Sequence, residues 1–452
     1  MASTRLYRTQ GTPTNADKWT FSVWVKSTNV DEINEALIMG TYVDSNNYEY
    51  VGFNSQKKIS YYIKQGGTGV GHLLTDRINK DPASWYHFVY VYDTAASAAD
   101  RMRIYVNGVE VTAFSTDTQP SLNLDSLINT SGNVINIGTY KDSGAVANEF
   151  FQGVMAHAHF CDGQAYAASD FGETDATSGI WVAKTGPSVT YGNNGFFLKF
   201  ASGALGTDSS GEGNNFTVSG TMTNTKDTPD NNFATWNPLN NYYPAVTFSN
   251  ANTTLVTASS VYAPSLSTLG MSSGKWYAEF QPTGRVADKN NIIGVSSTEA
   301  TAAAQELGHF ANDWGYEAKP GTGTADLRNN NSSSTYGNTY DDDDIIGVAL
   351  DVDNLKLYFS KNGVWQNSGD PTSGATGTGA VSITTGPLGN WFFGCTYWTS
   401  GGCTFNANFG NGYFGTTAIS SGNADDAGEG DFEYDVPAGY YALCTNNLGD
   451  QS

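Results

Sequence analysis

The segment DNNFATWNPL, residues 230–239, divides the chain, because Asp, Asn and Pro dominate it and Pro238 forces an extended backbone at Asn237. A long β-rich stretch lies on each side, and each carries one Asn-Gly pair. Upstream is IYVNGVEV (104–111), and downstream is LKLYFSKNGVWQ (355–366). Asn-Gly suits a type I′ hairpin turn with positive φ at both positions. The pattern predicts two antiparallel β-sandwiches joined at this segment.

Composition supports an all-β fold with two jelly-roll-like sandwiches in tandem. The chain holds 26 Tyr, 23 Phe, 10 Trp and 51 Gly in 452 residues, and aromatic and β-branched strands broken by Gly-rich turns are typical of such proteins. The best segment with helical periodicity is TAAAQEL (301–307). We predict a first sandwich with its extension at 1–229, a joint at 230–245, and a second sandwich at 246–452 whose C-terminal tail packs back on it.

The net charge of the chain argues against nucleic acids and anionic membranes as partners. With 22 basic and 44 acidic residues, the net charge is -22, which repels phosphate backbones and anionic membranes. The N-terminus MASTRLYRTQ has no signal-peptide core, and no apolar run is long enough to span a bilayer. Cys161, Cys395, Cys403 and Cys444 are too scattered for a disulfide scaffold. We expect thiols in a reducing cytosol, with a pairing of Cys395 and Cys403 left open because it depends on strand register.

Alternating apolar residues predict strands in both halves. In KWTFSVWVKS (18–27), Trp19, Phe21, Val23 and Val25 share one face, as a strand with one buried side requires. Further predicted strands are NYEYVGF (47–53), KISYYIK (58–64), SWYHFVYVYD (84–93), NVINIGTY (133–140), FFQGVMAHAHFCDG (150–163), GKWYAEF (274–280), NNIIGVSS (290–297), DDIIGVALDVD (343–353) and NWFFGCTYW (390–398).

The order of the upstream strands resembles laminin-G-like domains of the concanavalin A-like class over most of residues 1–165. The succession FCDGQAYAASDFGETDATSGIWVAKTG (160–186), YGNNGFFLKF (191–200) and GTDSSGEGNNFTVSG (206–220), followed by DNNFATWNPL, resembles structural proteins of tailed bacteriophages, particularly those of marine bacteria. The strands after the joint are similar to a SPRY domain, and the tail FEYDVPAGYYALCTNNL (432–448) resembles the ends of those phage proteins. The resemblance implies a virion protein with laminin-G-like and SPRY-like sandwiches.

Two acidic stretches bear on glycosidase chemistry, which in its retaining form needs carboxyl groups about 5 Å apart on one face. In DEINEA (31–36), Glu35 points away from the other candidate, so the geometry fails. In EGDFEYD (429–435) the carboxylates share a face, and a solvated acidic strand is the preferred interpretation. We predict that the protein is not an enzyme, with a glycan depolymerase using Glu429 and Glu433 as an alternative.

Metal-binding signals are weak. His157 and His159 project from one face of a strand, but the sequence places no third ligand. The laminin-G resemblance implies one Ca²⁺ at the sandwich edge, where loop Asp and Asn would supply oxygen ligands. No ligand can be aligned, and YDDDDII (340–346) is interpreted as a plain loop because adjacent Asp side chains point apart. We therefore place no cofactor.

Sugar binding is the function expected of such folds, through exposed aromatic rings. The residues predicted to bind a ligand are Trp314, Tyr316, Tyr336 and Trp398, each with a core position at a strand end as the alternative. The candidate loops are Gly66–Leu74, Lys141–Glu149, Phe310–Tyr316, Asn329–Tyr340 and Tyr397–Gly402.

The resemblance and the lack of a catalytic constellation predict a non-enzymatic virion component made in the host cytoplasm. It would be a tail fibre, an appendage or a head decoration, present as a homo-oligomer or in many copies. Its expected partners are other virion proteins and host surface polysaccharide. A decoration protein that contacts only virion proteins is a further alternative. Phe233 and Trp236 are expected to anchor a stiff joint against a sandwich.

Overall fold

The computed structural model describes residues 4–28, 35–141, 149–241, 246–257, 262, 264–284, 291–299, 305–319, 321–397 and 402–451. The chain forms two compact units, Met1–Asn224 and Thr225–Ser452. Strands and turns make up nearly all of both, and the named strands pair antiparallel with one exception. The predicted all-β class is confirmed.

Two large sheets and one two-stranded sheet form the first unit. Its strands are β1 (Arg5–Thr9), β2 (Lys18–Ser27), β3 (Ala36–Asp44), β4 (Asn47–Phe53), β5 (Lys58–Gln65), β6 (Thr68–Ile78), β7 (Tyr86–Asp93), β8 (Met102–Val106), β9 (Val109–Glu110), β10 (Phe114–Thr118), β11 (Val134–Ile137), β12 (Gly153–Asp162), β13 (Gly172–Thr174), β14 (Trp181–Ala183), β15 (Phe196–Leu198) and β16 (Thr217–Ser219). An eight-stranded sheet has the order β10-β6-β5-β4-β3-β11-β1-β16, and a six-stranded sheet the order β15-β12-β2-β7-β8-β9.

The core of the first unit lies between these sheets. Strand β2 has the predicted bounds, and Trp19, Phe21, Val23 and Val25 all lie in that core. The opposite face of β2 is buried as well, which alternation alone does not predict. The cause is the segment 165–191, which packs a second apolar cluster against the outer face of the six-stranded sheet.

The second unit has the same plan. Its strands are β17 (Trp236–Asn241), β18 (Thr247–Ser249), β19 (Thr254–Thr257), β20 (Ser265–Ser267), β21 (Lys275–Thr283), β22 (Asn291–Ser296), β23 (Asp313–Glu317), β24 (Thr324–Asn329), β25 (Ser332–Asn338), β26 (Ile346–Asp351), β27 (Lys356–Lys361), β28 (Val364–Trp365), β29 (Val381–Ser382), β30 (Phe392–Tyr397), β31 (Cys403–Asn408), β32 (Tyr413–Phe414), β33 (Thr417–Ala418), β34 (Asn423–Ala424), β35 (Asp431–Phe432) and β36 (Tyr441–Ala442). The two large sheets have the orders β17-β20-β30-β22-β23-β24-β25 and β18-β19-β31-β21-β26-β27-β28, and in the second of them β29 also pairs with β27 and β36 with β21. Two further sheets have two strands each, β32-β33 and β34-β35.

Residues 230–239 lie within the second unit, since the division falls between Asn224 and Thr225. Trp236 is fully buried in the core of that unit and Phe233 is buried beneath the C-terminal tail, as expected of anchors. The tail returns to the sandwich through β36, which pairs parallel with β21. The segment is therefore a structural part of the second sandwich.

Both Asn-Gly turns have the predicted backbone. The φ angles are 48° at Asn107 and 82° at Gly108, and 47° at Asn362 and 78° at Gly363. The four cysteines are buried thiols and form no disulfide. Of TAAAQEL, only residues 305–307 are described, and they are not helical.

Helix is rare in the described parts of the chain. One short α-helix, α1 (Thr445–Asp450), lies near the C-terminus, with 3-10 turns at Ala168–Asp170, Gln366–Ser368 and Pro371–Thr376. Across the ranges given above, no helix is long and apolar enough to cross a membrane.

Candidate functional site

The candidate site lies on the outer face of the eight-stranded sheet of the first unit. In β4, Glu49, Val51 and Phe53 point into the interior, where all three are buried. Side chains alternate along a strand, so Tyr48 and Tyr50 point outward. Both are only half-buried, which leaves part of each ring accessible to a ligand.

Three more tyrosines complete this surface: Tyr42 on β3, Tyr62 on β5 and Tyr140 after β11. Together with Tyr48 and Tyr50 on β4, they form what we call the tyrosine platform. Tyr42 lies opposite Tyr48, and Tyr50 opposite Tyr62. Ring centroids are 6.2 Å apart for Tyr42 and Tyr48, and 5.6 Å for both Tyr50–Tyr62 and Tyr50–Tyr140. The rings thus form one continuous aromatic surface.

A glycine makes room for this packing. Gly40 lies opposite Tyr50, between β4 and β11. A Cβ atom at Gly40 would lie 2.6 Å from Cβ of Tyr140 and 2.9 Å from Cβ of Tyr50. Because real Cβ atoms do not approach so closely, only glycine lets Tyr140 lie beside Tyr50.

Charged groups border the platform. The Lys64 ammonium lies 5.5 Å from the ring centroid of Tyr48, and that of Lys141 lies 5.3 Å from the Tyr42 centroid, which is the distance range of cation–π attraction. Lys141 also pairs with Glu149 at 3.6 Å. The surface therefore combines ring faces with hydrogen-bonding groups of both charges.

One carboxyl group and two tyrosines beside the platform have raised pKa values. Burial first, and then the neighbouring Glu149, raise the pKa of Glu35. Burial also raises the pKa of Tyr48 and Tyr140, with a contribution from Glu149. The Tyr140 hydroxyl donates a hydrogen bond to Glu149 at 3.3 Å. These tyrosines remain neutral hydroxyl groups that can donate and accept hydrogen bonds.

A buried Ser–His pair on the six-stranded sheet does not form a nucleophile. His87 Nε2 lies 2.8 Å from Ser22 Oγ, and Trp181 Nε1 donates to His87 Nδ1 at 3.0 Å. Burial lowers the pKa of His87 to about 3, so the ring is neutral. Since Nδ1 accepts, Nε2 carries the proton and donates to Ser22, and it has no lone pair with which to act as a base.

The structure places two of the predicted binding aromatics in the core instead of a loop. Tyr316 is fully buried and Tyr336 is 7% exposed. Tyr316 lies on β23 and Tyr336 on β25, and both side chains face the opposing sheet. Neither ring presents a face on which a sugar could stack. Trp314 is half-buried and packs against the same core. Trp398 lies outside the described residues.

The candidate loops are largely strands. Gly66–Leu74 is mostly β6, Phe310–Tyr316 runs into β23, and Asn329–Tyr340 contains β25. Only the ends of Lys141–Glu149 and of Tyr397–Gly402 are described. Lys141 and Glu149 nevertheless border the tyrosine platform.

The acidic stretch 429–435 does not present a row of carboxylates. Only Asp431–Phe432 is a strand. Glu429 accepts hydrogen bonds from Asn231 at 2.7 Å and from Asn446 at 3.2 Å. Glu433 accepts bonds from the backbone and hydroxyl groups of Ser420. These carboxylates hold the tail in place.

His157 and His159, which the sequence places on one strand face without a third ligand, lie at a bulge in β12. The backbone of His157 has a positive φ of 47°, and the ring of His159 stacks on Phe197 at 3.9 Å while its Nδ1 lies 2.8 Å from the Tyr191 hydroxyl. Burial lowers the pKa of His159. Within the described ranges, no three His, Cys, Asp or Glu side chains are grouped to hold a metal ion.

Sequence reasoning missed the tyrosine platform, although a signal was present. NYEYVGF places Tyr48 and Tyr50 on the same strand face, and KISYYIK places Tyr62 on one face and Tyr61 on the other. What the sequence did not supply was the direction of each face, which the sheet pairing decides.

Comparison with known families agrees with the fold of the first unit. Residues 4–170 match the Laminin_G_3 family, described as the concanavalin A-like lectin/glucanases superfamily. No curated protein sequence matches the chain. The first unit thus contains the concanavalin A-like jelly-roll domain that the sequence predicted, a fold class that includes both binding proteins and enzymes.

Several solved structures show a partial likeness. The SPRY domain of human HERC1 is 15% identical, with 38% of this chain and 96% of that chain covered and a TM-score of 0.29. The heptameric SAP-like pentraxin from Limulus polyphemus is 17% identical, with 40% and 86% covered and a TM-score of 0.29. The TRIM65 PSpry domain is 13% identical, with 39% and 89% covered and a TM-score of 0.28.

Proposed function

We propose that this chain is a non-enzymatic glycan-binding protein and that the tyrosine platform holds the sugar rings. The observation that carries the proposal is the clustering of five half-buried or buried tyrosines on the outer face of one sheet. Sugar rings have apolar faces that stack on aromatic side chains, and their hydroxyl groups find donors and acceptors at the rim. Lys64, Lys141 and Glu149 provide such groups here.

A comparison of the outer faces of the two sheets supports the eight-stranded sheet as the binding surface. The outer face of the six-stranded sheet is covered by the chain itself, through Phe171, Trp181 and Tyr191 among others. Among the described residues, no comparable apolar cluster covers the tyrosines of the eight-stranded sheet. A face that retains accessible aromatic rings is a better candidate for a ligand than one already filled.

The non-enzymatic part of the proposal has two supports. The carboxylates at 429–435 already accept hydrogen bonds within the tail, and Ser22 Oγ accepts a hydrogen bond from His87 Nε2 instead of donating one to it. Release of reducing ends from a bound polysaccharide by the purified chain would contradict this part and favour the depolymerase alternative.

We further propose that the protein is a component of a tailed-phage particle, either a compact appendage or a head decoration. Support comes from the ordered resemblance of residues 160–239 to phage structural proteins. Mass spectrometry of purified virions is the test, and the copy number per particle would distinguish a few tail appendages from many head decorations. Absence of the chain from the particles would exclude this role.

Glycan binding is tested separately, with an array of bacterial surface polysaccharides and the full chain. We expect binding to at least one glycan class. If no glycan is bound while the chain is present in virions, the protein is a decoration that contacts only other virion proteins.

A further inference from the structure

An arginine extends one end of the tyrosine platform. Arg5 lies on β1, where its Nη1 donates to Asn136 Oδ1 at 2.5 Å and its guanidinium lies 4.5 Å from the ring centroid of Tyr7. Asn136 Nδ2 in turn donates to the carbonyl oxygen of Tyr140 at 3.2 Å. This chain of contacts fixes the guanidinium next to the aromatic surface.

The same row of the sheet carries these groups. Tyr7 lies opposite Asn136, Asn136 opposite Gly40, and Gly40 opposite Tyr50. Leu6, between Arg5 and Tyr7, lies in the core, so both neighbours face outward with the platform. A ligand that crosses the strands over Tyr50 and Tyr140 therefore reaches Arg5 at the β1 end.

Arg5 has no carboxylate partner among the residues that the structure describes. Its side chain contacts an amide oxygen and an aromatic ring. This is unexpected in a chain with 44 acidic and 22 basic residues. Arg328 of the second unit, in contrast, pairs with Glu317 and Glu306. Lys64, at the other side of the platform, likewise contacts a backbone carbonyl and a ring.

We propose that the glycan bound by the tyrosine platform carries an anionic group, a carboxylate or a sulfate, that Arg5 binds. This inference rests on the proposed glycan-binding function. The guanidinium keeps N–H donors that can form paired hydrogen bonds with two oxygens of such a group. Because Asn136 and Tyr7 already hold the side chain, little further ordering is needed on binding.

The charge of the whole chain sets how such a ligand would bind. A net charge of -22 repels an anionic polysaccharide at long range, but this repulsion is screened beyond about 8 Å at physiological ionic strength. Selectivity must therefore come from direct contact with Arg5. Added salt should weaken binding far less than it does for basic polysaccharide-binding proteins.

The test uses the full chain and every acidic glycan that it binds on the array. Each is compared, by calorimetry, with the same polysaccharide after carboxyl reduction or desulfation, which removes the charge and separates uronate from sulfate ligands. We expect neutralisation to weaken binding at least about tenfold, as for loss of a charge-assisted hydrogen bond.

Substitution identifies the residue. Arg5→Gln should bind the acidic and neutral forms equally, Arg5→Lys should restore part of the preference, and Arg103→Gln should retain all of it. Arg103 is the matched control, because it is also a half-buried arginine but lies on the six-stranded sheet, away from the tyrosine platform. Its guanidinium donates a hydrogen bond to the Tyr105 hydroxyl. Retained affinity of Arg5→Gln for the neutral form shows that the variant is folded.

Two outcomes overturn this inference alone, and a third overturns the proposed function as well. If the chain binds only neutral glycans, or if Arg5→Gln keeps the preference for the acidic form, Arg5 does not recognise an anion, and the proposed function stands. If no glycan is bound at all, the proposed function fails together with this inference.

Discussion

Tyr50 lies directly opposite Tyr62 in the eight-stranded sheet, with ring centroids 5.6 Å apart and ring planes inclined by 35°. A cross-strand aromatic pair of this kind contributes roughly 0.2–1 kcal/mol to stability. The two rings are only half-buried, so part of each ring stays accessible to a ligand. This relationship is what makes the platform a candidate binding surface.

Removal of both rings should abolish most glycan binding. Each stacked ring contributes about 0.5–1.5 kcal/mol, so the double substitution Tyr50→Ala and Tyr62→Ala should weaken the affinity about tenfold to a hundredfold, measured by calorimetry. Tyr413→Ala, at a half-buried tyrosine of the second unit, is the control and should have no effect. Unchanged affinity of the double variant would exclude the platform as the site.

Gly40→Ala should disturb the platform from within. The added methyl group overlaps Tyr140, Tyr50 and the carbonyl oxygen of Glu49, and such overpacking costs about 1–3 kcal/mol. Urea denaturation measures the loss, which should be accompanied by weaker glycan binding. Gly186→Ala is the control, because no atom lies within 4 Å of the new methyl group. Equal stability of the two variants would show that the sheet can adjust at Gly40.

Glu279 should make the second unit less stable as the pH rises. Burial raises the pKa of this carboxyl group to about 7, although it accepts bonds from the backbone N–H groups of Glu433 and Tyr434. Between about pH 4.5 and 7 the folded state keeps a proton that the unfolded state has released, so stability falls with rising pH by about 3 kcal/mol.

The variant Glu279→Gln isolates this contribution. The variant should be less stable than the parent protein at low pH, because the NH2 group of the new amide faces the backbone N–H donor of Glu433 or of Tyr434. Its stability should also vary less between pH 4.5 and 7. Denaturation at both pH values measures the difference. An unaltered pH dependence would show that Glu279 is ionised in the folded state throughout.

His87 should have the opposite effect in the first unit. Burial, with a smaller contribution from His157, lowers its pKa to about 3. Below about pH 6.5 the unfolded chain binds a proton that the folded chain does not, so stability falls as the pH falls, by about 3 kcal/mol at pH 4. His87→Gln should lose this acid sensitivity. Chemical denaturation at pH 7 and pH 4 provides the test, and equal sensitivity of both proteins would contradict it.

Much of the fold could be predicted because local patterns carry it. The bounds of β2 were predicted from the alternation in KWTFSVWVKS, and positive φ angles were predicted at Asn107 and Asn362 from turn chemistry. Such signals depend on neighbours in sequence. They establish that strands exist, where they turn and which residues share a face.

The candidate site was harder to predict, because burial depends on distant residues. Trp24 alternates with core residues and should be exposed, yet it is 4% exposed and stacks on His87 beneath the segment that carries Trp181. Tyr316 and Tyr48 look equally suited to bind a sugar in the sequence. The first faces the opposing sheet and the second faces away from it.

The sequence by itself determined that this is an all-β protein of two antiparallel sandwiches with Asn-Gly hairpins, because alternation and turn preference are local properties. Only the tertiary structure decided which aromatic residues remain accessible. Tyr42, Tyr50 and Tyr140 come from separate parts of the chain, and the pairing of β3 with β4 and β11 brings them together. The physical reason is that contacts between residues far apart in sequence fix the register of a sheet. Such contacts also decide that a chain segment covers one sheet and leaves the other uncovered.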